Sequence, residues 1–270
     1  MKMDRVLLIA GLSIIALLLI MALIGPYLNS WTYYEQVLQR ANESPSSQYW
    51  FGTDSLGRDL FTRVWIGLRI SFMIGIIASI ISVVIGTIYG AIAGYFGGLL
   101  DEIMMKLVEI LYSIPFLVYV ILLLLIMEPG IKTIMVALVV VCWLGTARIV
   151  RGEIVRLKEM DFILAAYSIG ANYWRIIFYH LIPSAIGPII VMVTVTIPEI
   201  ILAEAVLSFL GLGISTPKAS LGFLINEGFQ SIRSYPYQLF FPAVLLTLSM
   251  LGFNMLADGL RRILDPSVNK

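Results

Sequence analysis

Residues that could act as nucleophiles, bases or metal ligands are scarce in this chain. Its 270 residues include one cysteine, Cys142, and one histidine, His180, which are too few for an intrachain disulfide or for a metal site built from such ligands. The sequence has no G-x-x-x-x-G-K-[ST] loop to cradle ATP phosphates, and no nucleophile–base constellation is visible. We therefore expect neither an enzyme nor a chain that binds a metal or cofactor itself.

Two carboxylates, Glu199 and Glu204, stand out because they follow Pro198 within a long apolar stretch. Ionisable groups inside a membrane are costly and are candidates for function. Five residues on a helix turn through about 500°, so the two side chains point in different directions. We expect Glu204 to pair with a nearby donor. Glu199 either lines a substrate path or makes a buried hydrogen bond to a neighbouring helix or subunit.

The composition of the whole chain predicts the environment of these residues. Apolar residues make up 60% of the chain and charged residues 13%, whereas a soluble domain is about one-quarter charged. The mean hydropathy is +0.95, which indicates an integral membrane protein. A net charge of +1 argues against nucleic acid as a partner.

Six stretches of low charge are each long enough, or nearly so, to cross the hydrocarbon core, which needs roughly 20 apolar residues. They lie within residues 6–28, 69–101, 109–128, 132–148, 175–207 and 233–258. We expect an unbroken helix in each, because lipid cannot satisfy a free backbone amide. The first is too long for a signal peptide and lacks a convincing cleavage site. The distribution of Lys and Arg places both termini inside.

The chain is expected to divide into three regions. Residues 1–68 hold the first span and an outer loop, residues 69–258 form the membrane core, and residues 259–270 form a cytoplasmic tail. Apolar residues recur every four positions from Leu56 to Leu68, with two Asp–Arg pairs at the same spacing. This pattern predicts a helix at the outer interface, either solvated or serving as a platform for a soluble protein.

Small residues recur every four positions along the second span, at Ser82, Gly86, Gly90 and Gly94. A stripe of small side chains lets another helix approach closely, so we expect helix packing here and no ligand contact.

The inner loop, residues 151–183, carries small residues at Ala165, Ala166 and Gly170. A short helix with few bulky side chains can enter a cleft in another protein, and Gly170 can end it in a left-handed conformation. Asn172 can then cap a second helix over residues 173–181. The alternative is an ordinary pair of interfacial helices.

Several motifs give this loop a specific resemblance. The pattern Ala165-Ala166-x3-Gly170, followed by His180-x-Ile182-Pro183, resembles the E-A-A-x3-G-x9-I-x-L-P loop of bacterial ABC importer permeases. Residues 51–69, 203–213 and 256–266 resemble the C-type permease subunit of the dipeptide/oligopeptide/nickel branch. The resemblance extends from about residue 50 to 266, with the motifs in the family's order.

The resemblance implies a type I importer fold in which the 151–183 loop docks on a cytoplasmic ATPase. The implied coupling residues are Ala165, Ala166, Gly170, Ala171 and Pro183. Leu164 stands where the motif has Glu, so we expect no salt bridge to the ATPase from that position. His180 replaces an Ile of the motif and is interpreted as a polar group at the interface.

The resemblance also implies a function in the bacterial inner membrane. The chain would form half of the pore of a di-/oligopeptide importer, with a second permease, two ATPases that carry ATP and Mg, and an extracytoplasmic binding protein. Glu199 would then meet a peptide's amino terminus. Import of nickel or a metal chelate is an alternative, and an ion-coupled secondary transporter is another, although it usually requires inverted repeats that we do not find. A purely structural subunit has no need for the coupling motif.

Overall fold

The computed structural model describes residues 2–128, 130–213 and 218–264, and the regular secondary structure of these residues is helical apart from one isolated bridge. The helices in chain order are α1 (Lys2–Ile24), α2 (Leu60–Phe96), α3 (Gly98–Ser113), α4 (Phe116–Ile126), α5 (Ile131–Lys158), α6 (Asp161–Ser168), α7 (Tyr173–Arg175), α8 (Ile182–Ser184), α9 (Ile186–Phe209), α10 (Leu221–Gln230) and α11 (Tyr237–Leu264). A π-helix, Ile176–Leu181, joins α7 to α8. The expected tail lies outside the described residues from position 265 onward.

Five continuous helices, α1, α2, α5, α9 and α11, are long and apolar enough to cross a membrane. The pair α3 and α4, which are bent by 83° relative to each other, gives a sixth span only if the two helices are counted as one broken span. The expectation of an unbroken third helix is therefore wrong. The break falls at Ile114 and Pro115, because a proline removes an amide donor and pushes the preceding residue into an extended conformation.

The longest helix, α2, organises the fold. Its 37 residues extend for about 55 Å, well beyond a hydrocarbon core of about 30 Å. It packs against α5 and α9, whereas α1 packs along α11. Glycines let α1 and α11 approach closely: a Cβ on Gly11 would lie 2.6 Å from the backbone nitrogen of Leu256.

Residues 51–59 do not form the expected interfacial helix. Gly52 and Gly57 have φ angles of +78° and +71°, which interrupt helical geometry, and α2 begins only at Leu60. Leu60 and Val64 are 2% and 0% exposed, because they face the protein core instead of the interface. The expected boundary between residues 68 and 69 consequently falls inside α2.

The charged residues of this segment form a buried network. Asp54 and Arg58 pair as expected, Oδ2 to Nε at 2.6 Å, but within a turn and not a helix. Arg63 pairs with Asp54 instead of Asp59, and Glu227 of α10 accepts from both guanidinium groups, at 3.0 Å from Arg58 and 2.8 Å from Arg63. Asp59 instead caps α2. The network therefore fastens α10 to the outer end of α2.

Replacing Asp54 by Asn is expected to lower the free energy of unfolding by about 3 kcal/mol, because it leaves two buried guanidinium groups with one shared carboxylate, the part-exposed Glu227, instead of two. Reversible unfolding of the purified permease in mixed micelles measures the change. Glu102→Gln is the control: it removes an ion pair to Lys106 whose side chains are 63% and 69% exposed, so its effect should stay below about 1 kcal/mol. Equal effects of the two variants would contradict the assignment of a buried network.

Candidate coupling elbow and membrane face

The inner loop forms a helix–turn–helix that we call the coupling elbow, residues 161–185. Helix α6 ends at Ser168, and Gly170, two residues later, has a φ of +80°. The Gly170 amide donates to the Tyr167 carbonyl at 2.9 Å, and the Ala171 amide donates to the Ala166 carbonyl at 3.1 Å. These two bonds make a Schellman motif, which satisfies carbonyls at the end of α6 and turns the chain sharply.

The second arm of the elbow starts at Asn172, whose side-chain oxygen accepts from the Arg175 amide at 2.8 Å. The arm continues through the π-helix to α8, where Pro183 lies exposed at the second position. Ala185, with φ −90° and ψ 5°, then separates α8 from α9. Helix α9, the fifth span, therefore begins at Ile186, three residues beyond Pro183.

One face of α6 anchors the elbow to two membrane helices. Ile163 and Ala166 are buried in a cluster that includes Ile154 of α5 and Ala91 of α2. The Tyr167 ring also stacks on that of Tyr95, near the end of α2, at 6.3 Å between centroids. These contacts join α6 to the inner ends of both α2 and α5.

The opposite face of α6 is exposed and largely apolar. Leu164 and Ile169 are 54% and 85% exposed, and Ala165 lies on the same open side. The two alanines of the motif therefore have different environments, since Ala166 is buried beneath the helix. Apolar side chains exposed outside the membrane are suited to contact with another protein.

The small-residue stripe of α2 lies against α5. A Cβ on Gly86 would fall 2.6 Å from Cβ of Thr146, and one on Gly94 would fall 2.8 Å from the Arg151 carbonyl oxygen. A Cβ on Gly90 would meet the carbonyl oxygen of Ala147. Ser82 is also buried. The backbones of α2 and α5 are therefore nearly in contact at these positions.

Glu204 is fully buried in a cluster of serines. Ser71 of α2 donates to one carboxylate oxygen at 3.0 Å, and Ser208 donates to the other at 2.6 Å. Ser220 donates in turn to Ser208 at 3.1 Å, and the Leu221 amide, at the start of α10, donates to Ser71 at 3.3 Å. This chain of donors ties α2, α9 and α10 together. Hydroxyl residues within apolar spans are the sequence signal for these partners.

Glu199 has the opposite environment. It lies midway along α9 and is exposed in the chain described here. Cys142 of α5 lies near this carboxylate. An exposed carboxylate at this depth is costly against lipid, so this face must meet either another subunit or an aqueous path.

Comparison with known proteins places the chain in a family. The model for the inner membrane component of binding-protein-dependent transport systems matches residues 86–270, and that for the N-terminal transmembrane domain of oligopeptide transport permease C matches residues 5–45. The dipeptide permease DppC of Bacillus subtilis is 49% identical over 97% of this chain and 82% of its own length. The oligopeptide permease OppC of Salmonella typhimurium is 45% identical over 96% of this chain and 86% of its own.

A solved structure supports the fold independently. A chain of the inward-facing MetNI methionine ABC transporter superposes with a TM-score of 0.60 and 20% identity, covering 74% of this chain and 97% of that chain. It shares the importer permease fold. The protein is a membrane-spanning transport subunit and not an enzyme in its own right, and it belongs to the family of inner membrane components of binding-protein-dependent transport systems.

Proposed function

We propose that this chain is the C-type permease subunit of an ATP-driven importer of di- or oligopeptides and that it forms half of the translocation pore. The main support is the relatives named as dipeptide and oligopeptide permeases, which align with 97% and 96% of the chain. Import of a nickel chelate and ion-coupled transport are not favoured, because these relatives are named for peptides and belong to binding-protein-dependent systems.

The proposed assembly contains a second, distinct permease, two ATPase subunits and an extracytoplasmic binding protein. Co-purification from native membranes, followed by peptide-stimulated ATP hydrolysis in vesicles, tests it. We expect both ATPases and the second permease to accompany this chain and peptide to raise the hydrolysis rate. Purification of the chain alone, together with ion-driven uptake without ATP, would refute the proposal.

The coupling elbow supplies the proposed contact with an ATPase. Ala165, Gly170 and the exposed Leu164 would enter its groove, and the contact at Leu164 would be apolar. Ala166 and Ala171 would support the elbow from the side that packs against the membrane core. Closure of the ATPase pair on ATP would displace α6 and hence the inner ends of α2 and α5. The outward-open state can be favoured only by contacts that the inward-open state lacks. The contact between the elbow and the ATPase would supply this difference in free energy.

Glu199 is proposed to receive the cationic amino terminus of the peptide in the path. Glu199→Gln should lower uptake of a peptide with a free amino terminus about tenfold, because hydrogen bonds to charged groups are worth about 1.5–3 kcal/mol. Uptake of the N-acetylated peptide should change less than about twofold. Radiolabelled uptake into vesicles that hold the whole complex measures both.

The control is Glu128→Gln, which removes an exposed carboxylate that precedes α5 and lies outside the spans. It should leave uptake of both peptides near the wild-type level. Unchanged transport and unchanged subunit assembly in the Glu199→Gln variant would remove Glu199 from the path.

A further inference from the structure

An exposed stripe runs along α9 on both sides of Glu199. Its members recur at alternating spacings of four and three residues and are exposed or half-exposed: Pro188, Met192, Val195, Glu199, Leu202 and Val206. This spacing places all six on one face of a helix. Glu199 is the one ionisable residue among them.

Helix α5 carries a matching stripe. Its members lie at spacings of seven, four and three residues, which again place them on one face of the helix: Cys142, Ile149, Glu153 and Arg156. None of these four residues is buried. Because α5 runs toward the inner side and α9 runs away from it, the inner parts of the two stripes meet. The face that holds Glu199 in mid-membrane therefore continues to the inner surface.

The inner end of this face is a cavity of about 740 Å³ between α5, α9 and α11. Its charged lining residues are Glu153, Arg156 and Arg261, and Ile149 and Met192 contribute apolar walls. Glu153 is engaged by Arg156, whose Nη2 lies 2.6 Å from its Oε1. Arg261 then leaves the lining with a net positive charge, which suits a carboxylate attached to an apolar body.

The separation between this cavity and Glu199 can be compared with the length of a peptide. Pro188 lines the cavity and precedes Glu199 by eleven residues, or about 16 Å along the helix. An extended chain spans about 3.3–3.6 Å per residue, so about five residues cover that distance. A peptide of this length can reach both places at once.

We propose that the inner cavity is the carboxylate subsite of the peptide path, in which Arg261 binds the C-terminal carboxylate of an oligopeptide held at its amino terminus by Glu199. The inference rests on the proposed function. An anionic lipid headgroup has the same charge, but the stripe above the cavity leads to a carboxylate in mid-membrane, which is unfavourable against acyl chains. The structure therefore favours a peptide as the occupant.

The test uses the complete complex in vesicles, with its ATPases and binding protein. Uptake of a pentapeptide with a free carboxylate is compared with that of its C-terminal amide. Arg261→Gln should lower uptake of the acid about tenfold and that of the amide less than twofold. Arg261→Lys should retain most of the selectivity, and Arg262→Gln, which removes the neighbouring charge outside the cavity lining, should preserve it fully. Any preference of the binding protein for the acid or the amide cancels when the variants are compared, because every variant is assayed with the same binding protein.

Each failure has a distinct pattern. Equal losses for acid and amide would overturn the subsite. Equal losses that appear only in vesicles containing phosphatidylglycerol, and not in pure phosphatidylcholine, would instead assign the cavity to a lipid headgroup. A wild-type complex that transports neither peptide would overturn the proposed function itself.

A second measurement needs no substitution at Arg261. Alkylation of Cys142, followed on the band of this chain in the wild-type complex during turnover, should be slowed several-fold more by the acid than by the amide. Equal protection by the two peptides would overturn the subsite even if the Arg261 variants fail to assemble.

Discussion

Replacing Gly170 by valine is expected to reduce peptide-stimulated ATP hydrolysis by the assembled transporter at least tenfold. Gly170 has a φ of +80°, a conformation that a β-branched residue adopts at a cost of about 1–3 kcal/mol. Among the described residues, no neighbouring atom lies within 4 Å of the position that a Cβ would occupy, so backbone strain and not crowding would cause the defect. The strained turn would redirect α6 away from the ATPase groove.

Two controls separate the turn from the bulk of the side chain. Gly170→Asn adds a side chain of similar size, but asparagine tolerates the left-handed conformation, so stimulation should stay within about threefold of wild type. Gly152→Val places the same valine on the inner part of α5, where a Cβ would meet no atom of the described residues within 4 Å. Equal damage by the valine and asparagine variants at Gly170 would implicate bulk, and full activity of both would exclude the elbow from coupling.

The coupling elbow could be predicted because its signals are local. Gly170 occupies the left-handed position that ends α6, and Asn172, only two residues later, caps the amide of Arg175. The direction of α6, however, depends on contacts with α2 and α5. Which of Ala165 and Ala166 faces the protein therefore could not be read from the motif.

The outer segment could not be predicted correctly because distant residues determine it. The four-residue spacing from Leu56 to Leu68 matches an interfacial helix, but Glu227, 169 residues after Arg58, supplies a buried partner for the charges. With those charges satisfied inside the protein, the segment has no need to face water. The periodicity of apolar residues alone cannot distinguish a helix that is buried on all sides from a helix at the membrane interface.

Glu199 and Glu204 show the same limit. Helical geometry correctly separated their directions, but it could not determine which direction led to the protein interior. Ser71, 133 residues before Glu204, and the start of α10 make that distinction. Glu204, which accepts hydrogen bonds from serine hydroxyls, holds three helices together. Glu199 is left exposed and is the carboxylate that we propose for contact with a substrate.

Replacing Gly90 by leucine is expected to prevent this chain from folding, with a loss of more than about 4 kcal/mol in unfolding free energy. Its Cβ would overlap the carbonyl oxygen of Ala147 and lie 2.9 Å from the Arg151 backbone nitrogen. These are backbone atoms of a packed helix, so no rotamer change can relieve the overlap, and α2 and α5 would have to separate. The yield of monodisperse permease and its thermal midpoint in detergent measure the effect.

Gly145→Leu is the matched control, because it adds the same side chain to α5 at a position where a Cβ has no contact within 4 Å in the described part of the chain. It should be tolerated, since leucine has a better helix propensity than glycine. Comparable stability of the two variants would show that α2 and α5 do not approach closely at Gly90.

The cause of the Gly90 effect can be separated from side-chain crowding by comparison with Gly75. A Cβ on Gly75 would lie 2.5 Å from Cγ1 of Ile201, a flexible side chain. Gly75→Ala should therefore be rescued by Ile201→Ala, whereas Gly90→Ala should not be rescued by Ala147→Gly, because the opposing atom belongs to the backbone. Rescue at Gly90 as well as at Gly75 would mean that side chains, and not backbone atoms, set the distance between α2 and α5. If Gly75→Ala is rescued and Gly90→Ala is not, backbone contact between α2 and α5 fixes the distance between the two helices to which α6 is anchored.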